Sequence, residues 1–463
     1  MINEREIILD VLMKMDGKEP YRKTLLRDTL DKIDYLDEQK KAFIKRVVEG
    51  TTERRITLDY CIGQFASLPV SKQKPLIRSL LRMSTYQILF MDAVPDSAAV
   101  NEAVKLAQQR KFGSLKGFVN GTLRNISRNK TDLKLYPELK HGKNESEYLS
   151  IRYSVPDFLC KMWIKMYGFE DTEELLKAFL LVRPVIIRMD ERLSAKEISD
   201  LVSQMQSGGT DSFDIKESTL LPYAYLLENS DNVRFLPGYE EGMWMVQDLS
   251  SMLVTEIAGI KKGDTVIDVC SAPGGKSLHA AAKLGGTGKV ISRDLTENKC
   301  ELIRDNCERM NASNVEVEAF DATKHDETLE SKADVLYCDL PCSGLGIIGR
   351  KNDIRYSVSK DGLKDLCLLQ KEIIKAVWDY VKPGGTLMYS TCTINKFENE
   401  DMVKWITDNF PFETVSIDTD CMPGIIREEK RESLKKGYIQ LLPQEFGTDG
   451  FFMAKFVRKN SKE

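Results

Sequence analysis

Asp264-Thr265-Val266-Ile267-Asp268-Val269-Cys270-Ser271-Ala272-Pro273-Gly274-Gly275-Lys276-Ser277-Leu278-His279-Ala280 is the stretch from which the rest of the chain can be read. Thr265 to Val269 is a β-branched run of the sort that fills a buried parallel strand, and Pro-Gly-Gly breaks it before an alanine-rich segment with helical spacing. Strand, glycine turn and helix form the front of a nucleotide-binding βαβ unit. The paired glycines let the backbone approach a ligand, and the helix N-terminus turns unpaired N–H groups and positive partial charge toward it. A second strand over Lys289–Ser292 leads to Asp294, nineteen residues past Gly275. At that spacing a carboxylate reaches the ribose hydroxyls of a bound nucleoside. The loop is not GxGxxG, since Cys270 and Ser271 stand where a dinucleotide fold places its first glycine, and this disfavours a nicotinamide or flavin cofactor.

At 463 residues the chain exceeds one ordinary core, so two or three domains are expected. No apolar run reaches the length of a membrane span, and Met1-Ile2-Asn3-Glu4-Arg5-Glu6 lacks the basic flank and apolar stretch of a signal peptide; a cytoplasmic protein is expected. The ten cysteines show no CxxC spacing and fit free thiols better than a disulfide framework or a zinc site. With only three histidines, His141, His279 and His325, histidine-centred metal or triad chemistry is disfavoured and no metal is expected. The net charge of −4 conceals an asymmetry, because residues 1–130 hold 24 Lys and Arg against 16 Asp and Glu, which leaves −12 for the remainder. All of the basic excess lies in residues 71–130, where 11 basic residues face 3 acidic ones. Such a face suits an anionic partner such as nucleic acid, or is a solvated surface.

Residues 1–130 read as helix throughout, with apolar residues three and four apart in Ile8-Leu9-Val11-Leu12, Phe43-Ile44-Val47-Val48, Leu76-Leu80-Leu81 and Val100-Ala103-Val104-Ala107. Breaks are expected at Asp16-Gly17, Gly50-Thr51, Leu68-Pro69 and Val94-Pro95. From Asn129 to Asn144 the polar sequence reads as a linker. Residues 145–240 look like a small α+β subdomain, with a helix after Pro156, a strand at Pro184–Arg188, a helix near 194–205, then loops and short strands around Gly208-Gly209 and Pro222 to Arg234. Met245 to Leu253 reads as a helix with an Asp-Ser cap signal. Beyond it, strands and helices alternate at regular spacing, which predicts a parallel sheet covered on both faces. Asp294, Asp321 and Asp339 all fall at predicted strand ends, where ligands of such sheets bind.

Two cysteines sit just past predicted strands, in Asp339-Leu340-Pro341-Cys342-Ser343-Gly344 and Ser390-Thr391-Cys392-Thr393. Cys61, Cys160, Cys300 and Cys307 read as packing residues, but two thiols at neighbouring strand ends beside a nucleoside pocket point to chemistry. These motifs, with Cys270 to Lys276, Gln247-Asp248-Leu249-Ser250-Ser251 and Gly447-Thr448-Asp449-Gly450-Phe451-Phe452, resemble the S-adenosylmethionine-dependent RNA cytosine-C5 methyltransferases of the Nop2/Sun (Fmu) family. Phe118-Val119-Asn120-Gly121-Thr122-Leu123-Arg124 resembles the end of a NusB-like RNA-binding domain. Two departures from the family pattern stand out: Leu340 replaces the usual alanine, and Asn395-Lys396-Phe397 replaces a more acidic, proline-bearing turn before Glu398-Asn399-Glu400.

The resemblance implies a multidomain chain: an all-α NusB-like domain at 1–130, the α+β subdomain at 145–240, and an α/β Rossmann-like class I methyltransferase domain at 241–463. It implies S-adenosyl-L-methionine as cofactor and 16S ribosomal RNA as substrate. C5 of cytosine is too weak a nucleophile to take a methyl group directly, so a thiolate must first add at C6. By resemblance Cys392 is that nucleophile, Cys342 assists release of the adduct, and Asp339 contacts the base edge and, if protonated, stabilises charge during addition. The cofactor would be held by Cys270, Ser271, Ala272, Pro273, Gly274, Gly275 and Lys276, with Asp294 at the ribose, Asp321 near the adenine amine, and Asp339 at the border of both sites. Nearby positive charge at Lys276 would favour the thiolate. DNA cytosine-C5 methyltransferases use the Pro-Cys cysteine and lack the second thiol, so Cys392 separates the RNA class from them. Arg110, Lys111 and Arg124 are the expected RNA contacts, and a monomer is expected. The competing reading, an RNA-binding assembly or termination factor with a vestigial methyltransferase fold, is opposed by the intact Cys342, Cys392, Asp339 and glycine loop.

Overall fold

The computed structural model describes residues 3–16, 25–33, 35–208, 213–230, 233–418 and 428–460, and the chain divides into two compact units. Gly17 and Gly209, both expected at breaks, lie outside the described residues.

The first unit comprises residues 1–180 and Arg350–Ser357. Its longer helices include Glu4–Met15, Glu38–Glu53, Pro75–Phe90, Asp96–Gln109 and Lys116–Arg128. The three- and four-residue spacing buries Ile8, Leu9, Ile44, Val47, Leu80, Leu81, Val100 and Ala103 in one core. The break expected at Gly50-Thr51 does not occur. Helix Glu38–Glu53 runs through it, because a Cβ at Gly50 would lie 2.0 Å from Cζ of Tyr86, so the glycine is a notch for that ring. Buried Arg82 is held by Asp59 through two bonds of 2.6 and 2.7 Å and by Asp16 at 3.1 Å. Arg355 is fully buried, and its guanidinium donates to the main-chain carbonyls of Glu53, Tyr153 and Ser154. Those carbonyls tie a short piece of chain from beyond Cys342 into the helical unit.

The residues grouped above as 145–240 divide between the two units. Helices Glu145–Tyr153, Asp157–Tyr167 and Phe169–Ala178 fall in the first, and the strands from Val185 onward fall in the second. Strands β1 (Val185–Met189), β2 (Asp214–Glu217), β3 (Ala224–Glu228) and β4 (Trp244–Val246) form an antiparallel sheet in the order β2-β3-β1-β4. Leu201 and Met205 of helix Ala195–Gly208 pack on Ile187, Met189, Leu227 and Trp244. The helix expected from Met245 begins only at Leu249. Trp244–Val246 pairs with β1 instead, and Asp248 caps the helix by accepting from Ser250 N at 2.9 Å.

The larger sheet contains β5 (Thr265–Asp268), β6 (Lys289–Asp294), β7 (Val315–Ala319), β8 (Ala333–Asp339), β9 (Val381–Thr391), β10 (Phe412–Thr414), β11 (Tyr438–Leu441) and β12 (Phe451–Arg458). Its order is β10-β12-β9-β8-β5-β6-β7, with β11 also on β12. The five strands β9-β8-β5-β6-β7 are parallel, as alternation predicted, whereas β10, β11 and β12 add an antiparallel edge. Period-two alternation sends Val266, Val335, Tyr337 and Met388 to one face, with Leu253 and Ile257 of helix Leu249–Ala258. Ile267, Leu336, Cys338 and Leu387 go to the other, with Ile373 and Val377 of helix Lys360–Val377. From β5 the chain moves outward to β6 and β7 and then returns to β8 on the opposite side. The order therefore reverses between β5 and β8, and a crevice opens there at the strands' carboxyl ends. No helix among the described residues is long and apolar enough to cross a membrane.

Two glycine substitutions test the packing argument. Gly50→Ala should lower the thermal midpoint, since overpacking against Tyr86 costs about 1–3 kcal/mol and outweighs the gain of about 1 kcal/mol in helix propensity. Gly121→Ala, in helix Lys116–Arg128 with nothing within 4 Å of the added Cβ, should instead raise it. Thermal unfolding followed by circular dichroism distinguishes the two.

Candidate active site

A cleft of about 300 Å³ lies at the reversal point and is lined by Cys270, Ala272, Asp294, Asp321, Asp339, Cys342 and Cys392, among others. Seven of the residues singled out from sequence thus meet in one place. Ser271, Pro273, Gly274, Gly275 and Lys276 do not line it directly. Ser271 Oγ donates to Arg293 O and accepts from Ser292 Oγ, and Ser292 Oγ in turn lies 3.0 Å from Ser277 Oγ. This buried hydroxyl chain ends on Asp268, where Ser277 Oγ donates to Oδ2 at 2.7 Å. It braces the glycine loop against β5 and β6. Gly274 adopts φ +100°, and helix Gly275–Leu284 begins with no side-chain cap.

Asp294 ends β6 and is almost fully buried. Its Oδ2 accepts from Ala272 N at 2.9 Å, and its Oδ1 accepts from Leu295 N and Lys299 Nζ, both at 2.7 Å. Three of its roughly four acceptor positions are therefore engaged, one of them by a half-exposed lysine. Asp321 lies two residues past β7, and its Oδ1 accepts from Thr323 N and Oγ1; those bonds hold its carboxyl below the usual range. Burial pushes the Cys270 thiol upward, which leaves it a poor nucleophile.

At the other end of the cleft, Cys342 Sγ and Cys392 Sγ lie 3.3 Å apart. The register that pairs Asp339 with Ser390 brings their loops together. Asp339 accepts from Ser390 Oγ through Oδ1 and from Lys276 Nζ through Oδ2, each at 2.7 Å. An ammonium thus sits on the carboxyl for which sequence left a protonated form open. Burial works against the Lys276 charge, yet Asp339, with Asp268 and Cys392 behind it, holds the lysine proton more tightly than usual. The ammonium also faces the Phe451 ring, 5.3 Å from its centroid. The Cys342 thiol is raised well above the ordinary cysteine value by its hydrogen bond with Cys392, by burial and by the charges of Cys392 and Glu398.

Sequence reading did not single out the side chains that hold these two loops. Glu398, fully buried, accepts from Ser343 N and Ser343 Oγ at 2.9 and 2.5 Å and from Asn395 Nδ2 and Gln370 Nε2 at 2.9 and 3.1 Å. Asn399 accepts from Thr391 Oγ1 at 2.7 Å and donates to Thr393 O at 3.1 Å, and so clamps both neighbours of Cys392. Gly346 N donates to Cys392 O, and Gly450 N donates to Gly346 O; a Cβ at Gly346 would lie 1.8 Å from Gly450 O. Nothing local marks Glu398 and Asn399 for burial, since the run Asn395-Lys396-Phe397-Glu398-Asn399-Glu400-Asp401 is polar at every position but Phe397.

Arg110, Lys111 and Arg124 belong to the helical unit. Arg110 donates to Asp10 at 2.6 and 2.7 Å and lies 3.1 Å from Glu6, so its charge is already opposed. Lys111 is exposed, and exposed Arg124 donates to Asn120.

S-adenosylmethionine brings a carboxylate, an α-ammonium, a ribose and a purine, and the residues present fit it. The uncapped helix after Gly274 suits the carboxylate. Asp268 Oδ1 is buried without a hydrogen-bond partner, and an ammonium would answer it.

Fold and site together define a Rossmann-like S-adenosylmethionine-dependent methyltransferase domain preceded by an all-helical domain. Residues 257–457 match the 16S rRNA methyltransferase RsmB/F family, and residues 2–128 match the NusB family. A probable ribosomal RNA small subunit methyltransferase B of Bacillus subtilis is 33% identical over 98% of each chain. A second, from Synechocystis, is 29% identical over 98% of this chain and 99% of its own. The crystal structure of a methyltransferase homolog protein from Pyrococcus horikoshii covers 67% of this chain and 97% of its own at 25% identity, with a TM-score of 0.57. The chain belongs to the RsmB/F family of 16S rRNA methyltransferases and carries a NusB-like domain at its N-terminus.

Asp268 offers a test that needs no substrate. Burial pushes its carboxyl up to about 7, against the hydrogen bond from Ser277 and the charge of Lys276. The folded chain therefore binds this proton more tightly than the unfolded chain. The associated stability is fully present below about pH 4 and is lost as pH rises through about 7. Asp268→Asn should flatten that fall, by at most about 4 kcal/mol across the window. Urea titrations at pH 5 and pH 8 measure it.

Proposed function

We propose that the chain methylates C5 of a cytosine in 16S rRNA through a covalent bond between Cys392 and C6 of the base. By the family resemblance the target is cytosine 967. The observation that carries this reading is the pair of thiols 3.3 Å apart in a cleft that is also lined by Asp294, Cys270 and Ala272.

S-adenosylmethionine supplies, when bound, an electrophilic methyl group on a sulfonium. The backbone of Cys270–Lys276 would hold it, with Asp294 toward the ribose and Asp321 toward the adenine amine. Asp339 and Lys276 together meet the N3 and N4 edge of the flipped base. Extrusion of the base costs a few kcal/mol, roughly, and an unpaired target lowers that cost. Cys392 Sγ adds to C6, and the electron pair displaced toward C5 makes that carbon nucleophilic. Lys276, whose charge Cys392 feels, favours the thiolate. Once the methyl group is on C5, the C5 proton passes to solvent water, the C5=C6 bond re-forms and the Cys392–C6 bond breaks to return the thiolate, with Cys342 assisting this last step through its contact with the departing sulfur.

Cys392→Ala should abolish formation of 5-methylcytosine and leave S-adenosylhomocysteine affinity within a few-fold, because the thiol bonds to the base. Cys342→Ala should accumulate a protein–RNA adduct, seen as a slow band on a denaturing gel. An adduct trapped by Cys392→Ala instead would reverse the two roles.

The helical unit is read as the RNA-binding part, on the strength of its basic excess in residues 71–130. Because Arg110 is paired with Asp10, the exposed Lys111 and Arg124 are the sharper probes. Charge reversal of both should weaken RNA binding and reduce the logarithmic salt slope by about 0.7 to 0.9 for each phosphate that is no longer neutralised. Filter-binding titrations over a salt series test this, and an unchanged slope would assign the unit to another role.

A further inference from the structure

The two sulfurs of the cleft are 3.3 Å apart, so they share one hydrogen bond, and one of them must carry its proton. Their surroundings are not symmetric. Glu398 sits on the Cys342 side, with its carboxylate bonded to both the N–H and the hydroxyl of Ser343, the next residue in the chain. Its four donors among the described residues, Ser343 N, Ser343 Oγ, Asn395 Nδ2 and Gln370 Nε2, are neutral, so they solvate its negative charge without cancelling it. The positive charge of the site is Lys276, anchored on Asp339 and coupled electrostatically to Cys392. Anion by one sulfur and cation by the other polarises the shared hydrogen bond in one direction.

We propose that Glu398 is a positioning residue that keeps the shared proton on Cys342 and so leaves Cys392 as the thiolate. The inference rests on Cys392 being the nucleophile, and it supplies the reason two thiols in contact do not exchange roles. A neighbouring negative charge disfavours a thiolate, and burial strengthens the effect because the intervening medium screens weakly. The charge of Glu398 is among the causes that raise the Cys342 thiol. Of the other ionisable groups, Asp268 and Asp339 act on Lys276, while Cys367 and Tyr389 feel the charge of Glu398; among the described residues, Glu398 is the carboxylate hydrogen-bonded to the Cys342 loop. Four hydrogen bonds fix the carboxylate in place, so its field on the Cys342 side is a fixed one.

Both thiols line the cleft, so a small alkylating agent reaches each. Trace iodoacetamide on the full chain, without cofactor or RNA, followed by peptide mapping, reads the ratio of modification at the two sites. Cys392 should react faster than Cys342 by about tenfold or more, the effect of roughly one pKa unit. In Glu398→Gln, which removes the charge and keeps the shape, that ratio should collapse toward one. Glu398→Asp should restore part of it. A purely structural role would alter both rates together and leave their ratio in place. S-adenosylhomocysteine affinity and near-ultraviolet circular dichroism report whether the variants fold. Should Glu398→Gln fail to fold, Ser343→Ala removes one donor but keeps the charge, and it should preserve the preference for Cys392. The unmodified chain already decides the matter: equal alkylation of the two, or faster alkylation of Cys342, overturns the proposal. If 5-methylcytosine still forms and is lost in Cys392→Ala, only this inference falls. If it does not form, the enzymatic reading falls with it.

Discussion

The in-register pairing of β8 with β9, which sets Asp339 beside Ser390, is the constraint on which the site depends. Parallel strands of one sheet end on one edge, so the loops leaving them open onto the same crevice. Cys342 follows its strand by three residues and Cys392 follows its own by one, and equal strand ends bring the two sulfurs within 3.3 Å. A slip of one residue would turn every side chain of β9 to the opposite face, taking Ser390 off Asp339 and Leu387 out of its core. Hydrophobic alternation thus specifies the chemistry indirectly. It fixes the register, and the register fixes the thiols.

Register alone would leave the two loops free to move. Their rigidity comes from polar side chains buried where packing would ordinarily favour apolar ones. Glu398, Asn399, Gln370, Thr391 and Thr393 are all fully buried, and each makes hydrogen bonds to the segments around Cys342 and Cys392 or to one another. Leaving one such group unsatisfied costs about 1–3 kcal/mol, more for a charge, so the network holds together only when complete. The close approach of Gly346 to Gly450 adds a backbone clasp that admits no side chain. An apolar core of the same volume could hold the loops, but it could not place a fixed charge beside one sulfur.

Much of this was legible in the sequence, and the reasons differ by element. Buried parallel strands such as Thr265–Asp268 and Lys289–Asp294 declare themselves through β-branched runs bounded by turns, and the alternation with helices implied their covered sheet. The antiparallel edge was not legible. Phe412–Thr414 is three residues long, and a strand that short has no period to detect. Gly50 misled because local sequence cannot distinguish a glycine that ends a helix from one that receives the Tyr86 ring. The membership of Arg350–Ser357 in the helical unit rests on Arg355 finding three carbonyls far away in sequence. The cleft residues were named because acids and thiols at strand ends have few other uses. Glu398 was overlooked because its function is to hold other loops, which depends on tertiary neighbours that no local pattern encodes.

Lys276 joins the glycine loop to the thiol pair. It stands at the start of the helix that follows the glycine loop, and its side chain crosses to Asp339 at the end of β8. Lys276 is largely buried while Asp339 faces the cleft, so moving either end leaves the lysine charge poorly solvated. The loop that bears Lys276 is braced through Ser277, Ser292 and Ser271 to Asp268, whose second oxygen lacks a partner. A ligand that satisfies Asp268 therefore acts on the hydroxyl chain that holds the lysine in place. The glycine loop and the strand end that leads to Cys342 are linked through this one residue. That linkage follows from the switch between β5 and β8, since only at the reversal point do a glycine loop and a thiol loop face each other across adjacent strands.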